Sequence, residues 1–465
     1  MRIAFNSILM AITLFVLIFF SLVDTAGTYL VSADIEVYLL LMSVLLSLII
    51  NRQVKNEILE FLNTFFVFFY VIRIPFIFND ALSSDVLSRG VDINEISWYL
   101  FILVVQYLYI VIAILVVNPR ISKNAIRNAV SEKVFKKVLF FCYIVFFLNV
   151  LKTFLFFDIY GSSLNFILAI IGSIFTERNV LMVVIILSIV SEKNLVLKYK
   201  YSVSGIVLMI IALGVYAGSK SITIEFILLL YLGLLVTNGP LKLKIRSYVT
   251  LLFGFIFGIF MYFFGIVTRG LHVGNYDYNI SNFKYLYSNR FGSDIEYFLN
   301  SLSYRIGYLD FFIQKISTTM YEPYANLLYY FKSIVDNLTP GGDIFGVPYA
   351  ATAIFTAYHG ESDVANSEFL TVFGEAHIIF GFFSFLFYLV MLFFIRYALV
   401  KFKSSYALNT ALFNLFMLMS FYLWLRGPGL DMLAVFIVYK GIFVVFVMFI
   451  IKYYSKPSIR RISLE

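Results

Sequence analysis

The residues with the widest chemical reach in this chain are cations set at the ends of apolar runs. Arg73 precedes Pro75 at the end of one run, and Arg178 stands in Thr176-Glu-Arg-Asn179 at the start of another. Lys220 lies in the short turn Gly218-Ser-Lys-Ser221, and Arg426 opens the turn Arg-Gly-Pro-Gly-Leu-Asp431. Arg269, Arg290 and Arg305 belong to a long stretch that has no apolar run of membrane length. A charge at the mouth of an apolar segment is costly unless it is paired or wetted. A guanidinium grips phosphate through a two-pronged fork of N–H donors. Taken together, such cations suit an anionic, membrane-borne ligand such as a lipid pyrophosphate. Each one singly has a plainer reading, in which it snorkels or pairs locally, Arg178 with Glu177 and Arg426 with Asp431.

Candidates for moving a proton lie in the same half of the chain. All three histidines, His272, His359 and His377, fall between residues 268 and 377. No two of them have metal-ligand spacing, and the one cysteine, Cys142, lies inside an apolar run, so no metal is expected. His377 closes Phe373-Gly-Glu-Ala-His377 and is the first choice for a general base near neutral pH. Glu375, His359, Glu361 and Asp294 are the alternatives, and a histidine that only anchors a helix at the interface is the plainer reading of His377. No cofactor is expected, because the chain has no Walker loop, dinucleotide fingerprint or His-Glu-x-x-His.

The elements that must hold these residues are membrane helices. The chain of 465 residues is 62% hydrophobic and only 13% charged, with a mean hydropathy of +0.92. Soluble domains carry roughly 25% charged residues. No soluble core buries this much apolar sequence, so an all-α polytopic membrane protein is expected. Spans of about 20 apolar residues are predicted near 3–23, 35–50, 57–78, 96–117, 135–157, 176–191, 202–217, 221–237, 247–267, 371–395, 406–425 and 430–451. The run 164–175 is too short to cross and reads as re-entrant. The first run lacks a small-residue cleavage site and is long enough to span, so no cleaved signal peptide is expected.

Three regions follow: an N-terminal bundle over 1–267, a large loop over 268–370, and three closing spans over 371–465. Of the 35 basic residues, 22 fall on alternate connections and the two terminal segments, which places both termini in the cytoplasm and the large loop outside. The net charge of +8 belongs to those cytoplasmic connections and does not imply nucleic acid. Within the loop, Ser293-Asp-Ile-Glu296 is a capping box. The apolar spacing after it predicts an amphipathic helix with Arg305 at the edge of its buried face. Leu338-Thr-Pro-Gly-Gly-Asp343 and Phe345-Gly-Val-Pro348 read as turns.

With these features assembled, the chain resembles the Wzy-type oligosaccharide repeat-unit polymerases of O-antigen and capsule assembly. The likeness rests on some twelve spans, one dominant outer loop and the outward cations. It rests locally on Gly218-Ser-Lys220, Thr268-Arg-Gly270, Tyr304-Arg-Ile-Gly307, Asn366-Ser-Glu-Phe-Leu370 and Phe373-Gly-Glu375. Lys220 stands where an arginine is more usual. The resemblance implies a glycosyltransferase at the bacterial plasma membrane, taking undecaprenyl-pyrophosphate-linked oligosaccharide, with a chain-length regulator and a flippase as partners. Under it, His377, Glu375 and Arg305 are the catalytic candidates. Arg269, Arg290, Arg426, Lys220, Arg178 and Arg73 would bind pyrophosphate. An O-antigen ligase shares this layout. A flippase or other transporter would place charges near the midplane, where the sequence offers only Lys152 and Lys440.

Overall fold

The computed structural model describes residues 2–24, 34–74, 93–121, 130–155, 174–216, 222–239, 242–244, 279–291, 326–338, 344–350, 371–402, 406–427 and 429–455, with isolated positions between them. These residues form helices almost throughout. Strand β1 (Arg2–Ala4) leads into α1 (Phe5–Asp24), α2 (Asp34–Val54) and α3 (Glu57–Phe69). Next come α4 (Ile93–Val117), α5 (Glu132–Leu155), α6 (Glu177–Val190), α7 (Lys193–Lys198), α8 (Lys200–Tyr216) and α9 (Ile222–Asn238). Strand β2 (Lys242–Lys244) precedes two short helices, α10 (Ile280–Phe291) and α11 (Leu327–Leu338). The chain closes with α12 (Thr371–Phe380), α13 (Ser384–Lys401), α14 (Ala407–Arg426) and α15 (Leu430–Ser455).

Six stretches among the described residues are long and apolar enough to cross a membrane: Ile35–Val54, Ile96–Val117, Glu132–Leu151, Thr371–Lys401, Ala407–Arg426 and Leu430–Ser455. Phe5–Phe19, Lys200–Gly214 and Glu225–Thr237 are shorter apolar helices. The predicted span 247–267 lies almost wholly outside the described residues, as do most of 164–175 and the helix expected after Ser293. Two details depart from the expected all-helical, unbroken pattern. Arg2–Ala4 pairs antiparallel with Lys242–Lys244. The span beginning at Thr371 is interrupted by a 3-10 turn, Gly381–Phe383, where Gly381 takes a positive φ of 53° and parts α12 from α13.

Helix α14 is the axis of the bundle. It packs on α15, α9, α6 and α12, and most of its length is buried. Helix α3 is buried nearly all round although it carries Glu57, Glu60 and Asn63. It starts at Asn56, whose side-chain oxygen accepts from the N–H groups of Ile58 and Leu59 at 2.9 and 3.0 Å and so satisfies two orphan donors of the first turn. The Asn56 amide donates in turn to the Asn118 side chain and the Pro119 carbonyl at the end of α4. At that same end Arg396 donates to the Val117 carbonyl at 2.7 Å. The Asn6 amide joins the start of α1 to the Leu48 carbonyl near the end of α2. Inside the bundle, Asn63 accepts from Ser47 and Tyr107, and Gln106 from Tyr388, all at 2.8 Å. These bonds tie neighbouring helices together inside the bundle, while Asn6 Oδ1, Asn63 Nδ2 and Gln106 Nε2 are enclosed without a partner among the described residues.

Candidate functional site

Helix α11 and the turn after it meet the bundle at the end of α15 that holds Asp431. Helix α11 carries Tyr330, Ser333 and Asp336 on its buried side, while Leu327, Leu328 and Phe331 are 57%, 64% and 60% exposed. A helix of a soluble domain would show the opposite arrangement. An apolar face turned outward suits lipid at the rim of the bundle.

Asp336 fastens the turn that follows α11. Its two carboxylate oxygens accept from the N–H groups of Phe345 and Val347 at 2.9 and 2.8 Å, and Gly346 between them has a φ of +64°. This is the Phe-Gly-Val-Pro turn expected from sequence. Asp431 fastens the same assembly to α15. It accepts from the Ser333 hydroxyl at 2.7 Å and from the Ala350 N–H at 2.8 Å. Its other oxygen takes the Met432 N–H at 2.8 Å. Burial, together with the Asp431 charge, pushes the Tyr349 hydroxyl up to about 12 and that of Tyr329 higher still. Both remain neutral donors at physiological pH.

Glu375 completes the junction. The Phe373 ring meets Phe66 and Tyr70 edge-on at 5.6 Å and so sets α12 against α3. That seats Glu375, 2% exposed, where its carboxylate accepts from the Leu430 N–H at 2.9 Å and caps the start of α15. The buried Tyr330 hydroxyl faces this carboxylate without a hydrogen bond of regular geometry. The turn between α14 and α15 lies directly on the start of α12. Gly427 caps α14 with φ +68°, and a Cβ placed there would run into the Thr371 backbone.

The predicted site residues are distributed as follows. His377 is half-buried beside Phe382, with Nδ1 enclosed and without a hydrogen bond among the described residues. Arg426 ends α14, where a cation complements the helix dipole. Its expected partner Asp431 is engaged by Ser333, Ala350 and Met432. Glu375, expected at an open helix mouth, is enclosed and holding Leu430. Arg73 is 3% exposed, inside the bundle beside α1. Arg269, Arg305 and Lys220 lie outside the described residues, as does the side chain of Arg290, whose backbone belongs to α10.

Arg178 differs most from expectation. Its partner is Glu225 of α9, at 2.9 Å, and not Glu177. It lines a cleft with Asn179, Glu225, Met419, Phe436 and Lys440. Lys440 stands roughly 15 Å along α15 from Leu430, and Met419 roughly 10 Å along α14 from Arg426, at about 1.5 Å per residue. Arg178 is thus well inside the bundle, since α6 is short and begins there. The sequence places it at a mouth, since it stands at the start of the span predicted over 176–191. Glu57, Glu60 and Glu225 were missed, although each is an acid at the start of an apolar run. Among the described residues no cluster of three metal-binding side chains occurs.

No protein-family model, no curated protein and no solved structure matches this chain.

Proposed function

We propose that this chain is a repeat-unit polymerase of the Wzy type with about twelve crossings, working on lipid-linked oligosaccharide at the outer face of the plasma membrane. The observation that carries the reading is a polar junction at one end of a membrane-sized bundle, where α11 is fastened through Asp431 beside the Arg426 end of α14 and Glu375 of α12 caps α15. In the reaction, a hydroxyl of the incoming repeat unit attacks the anomeric carbon of the growing chain. The bond from that carbon to undecaprenyl pyrophosphate breaks, and its electron pair leaves with the pyrophosphate. His377 takes the hydroxyl proton. Arg426, with Arg269, Arg290 and Arg305 of the loop, offsets the charge that develops on the leaving group. Glu375 acts as a positioning residue, because its carboxylate is spent on the Leu430 N–H.

The charged cleft at Arg178, Glu225 and Lys440 favours a second reading, a lipid-linked oligosaccharide flippase, since transporters hold ligands near the midplane. Deleting the gene and resolving surface polysaccharide by length separates the readings. A polymerase leaves single repeat units on the cell surface and removes the long chains. A ligase removes both from their acceptor, and a flippase leaves lipid-linked repeats on the cytoplasmic face. An unchanged length distribution overturns the proposal.

A further inference from the structure

Where α5 and α8 begin and α15 ends, lysines and tyrosines form a collar. The ammonium groups of Lys136 and Lys198 lie 5.7 and 5.9 Å from the centre of the Tyr199 ring. That of Lys137 lies 5.6 Å from the Tyr454 ring centre, and that of Lys200 lies 4.8 Å from that of Tyr201. Glu132 ties α5 to the end of α7. It accepts from the Tyr199 hydroxyl at 2.6 Å and pairs with Lys198 at 2.9 Å and Lys136 at 3.0 Å. Lys133, Lys137, Lys200 and Lys452 are exposed and meet no carboxylate among the described residues. Segments 130–137, 191–201 and 448–455 together hold seven lysines, no arginine and two acids, Glu132 and Glu192. Among these lysines, Leu197 and Tyr201 are 52% and 81% exposed.

We propose that this collar is a binding surface for the head groups of anionic phospholipids. Glu132–Leu151 starts here and Leu430–Ser455 ends here, so the collar lies where membrane-length helices reach the bilayer surface. At that level a lysine stem lies along apolar surface while its ammonium stays in the head-group layer, and aromatic rings are favoured. Lipid phosphodiesters accept from the ammonium groups that no carboxylate holds, and Leu197 and Tyr201 enter the edge of the acyl region. A lysine is a point charge without the planar fork of arginine, which suits the single charge of a phosphodiester. A face that only met water would account for the lysines but not for the bare leucine and tyrosine among them. The inference needs only that the bundle crosses a bilayer, and it stands without the polymerase reading.

The test uses the full chain in phosphatidylcholine nanodiscs that contain a trace of spin-labelled phosphatidylglycerol or, separately, spin-labelled phosphatidylcholine. Electron paramagnetic resonance reads the share of label held against the protein. Wild type should hold phosphatidylglycerol in preference, by about fivefold for each lysine that a head group touches. The preference should shrink between 0.1 and 1 M salt, as the screening length falls from about 10 to about 3 Å. Glutamine in place of Lys133, Lys137, Lys200 and Lys452 together leaves the Glu132 contacts in place, so that protein should melt as wild type does and lose the preference. Arginine at the same four positions should keep it. The salt series on wild type reads the same preference without any substitution. The proposal is overturned if wild type holds both labels equally, if salt does not change the preference, or if the four-glutamine protein retains it. Soluble polyglutamate or an oligonucleotide that binds wild type while both lipid labels are held equally would assign the collar to a soluble polyanion and would also overturn it.

Discussion

Ser333 donates its hydroxyl to Asp431 at 2.7 Å, across 98 positions of sequence. The contact joins a loop helix to the first turn of α15, and the Ala350 N–H binds the same carboxylate oxygen at 2.8 Å. A carboxylate so engaged is a fastener, and α11 with the turn after it keeps its position on the bundle through it.

Asp431→Ala should therefore release the loop. It strips acceptors from Ser333, Ala350 and Met432, and hydrogen bonds to a charged group contribute about 1.5–3 kcal/mol each. Thermal unfolding in detergent should fall sharply, and protease should cut at 344–350 while the bundle stays intact. Ser333→Ala removes one of these bonds and should lose only about 1.5–3 kcal/mol. An Asp431→Ala protein that melts and resists protease like wild type would refute the fastening role.

Two glycines make a controlled pair. Gly427 and Gly346 have nearly the same positive φ, 68° and 64°. A Cβ at Gly427 collides with the Thr371 backbone, whereas at Gly346 it meets nothing within 4 Å. Gly346→Ala should cost about 1 kcal/mol, the conformational penalty alone. Gly427→Ala should cost several times that, because a backbone clash cannot be relieved by a side-chain rotation. Equal losses for the two in the same melting assay would show that the α14–α15 turn is not held against α12.

Glu375 and His377 should separate on substitution by glutamine. Glutamine at 375 still presents an oxygen to the Leu430 N–H, so Glu375→Gln should keep polymer length and stability, whereas Glu375→Ala should lose about 1.5–3 kcal/mol. His377→Gln should abolish elongation with protein level unchanged, because an amide cannot take the acceptor proton. Elongation at the wild-type rate by His377→Gln would move the base elsewhere, and loss of elongation in Glu375→Gln would give Glu375 a chemical role.

The helical, membrane-sized character of the chain was legible because apolar runs of membrane length have few other uses. Helix starts at 57, 177, 222 and 430 also match the edges of the predicted runs. Helix α11 was not legible. Its buried side is Tyr330, Ser333 and Asp336, so the periodicity that marks a buried face is inverted. The partners of Arg178 and Asp431 were hidden for a different reason. Both were assigned to acids or cations nearby in sequence, and both are bound across helices, by Glu225 and by Ser333 and Ala350. Local pairing is the default that sequence offers, and tertiary geometry replaces it wherever a nearer donor or acceptor arrives from another element.

The three-residue ladder of Arg2–Ala4 with Lys242–Lys244 does more than pin a terminus. Through Ala4 it shares an end of the bundle with Asn6 and Leu48, and the α2–α3 connection leads from there to Asn56, Asn118 and Pro119. Val117 and Arg396 lie at that end too. Helix α14 starts near it and runs roughly 30 Å, at about 1.5 Å per residue, to the opposite end, where Asp431 grips Ser333. Lys244 and Ser333 consequently belong to opposite poles.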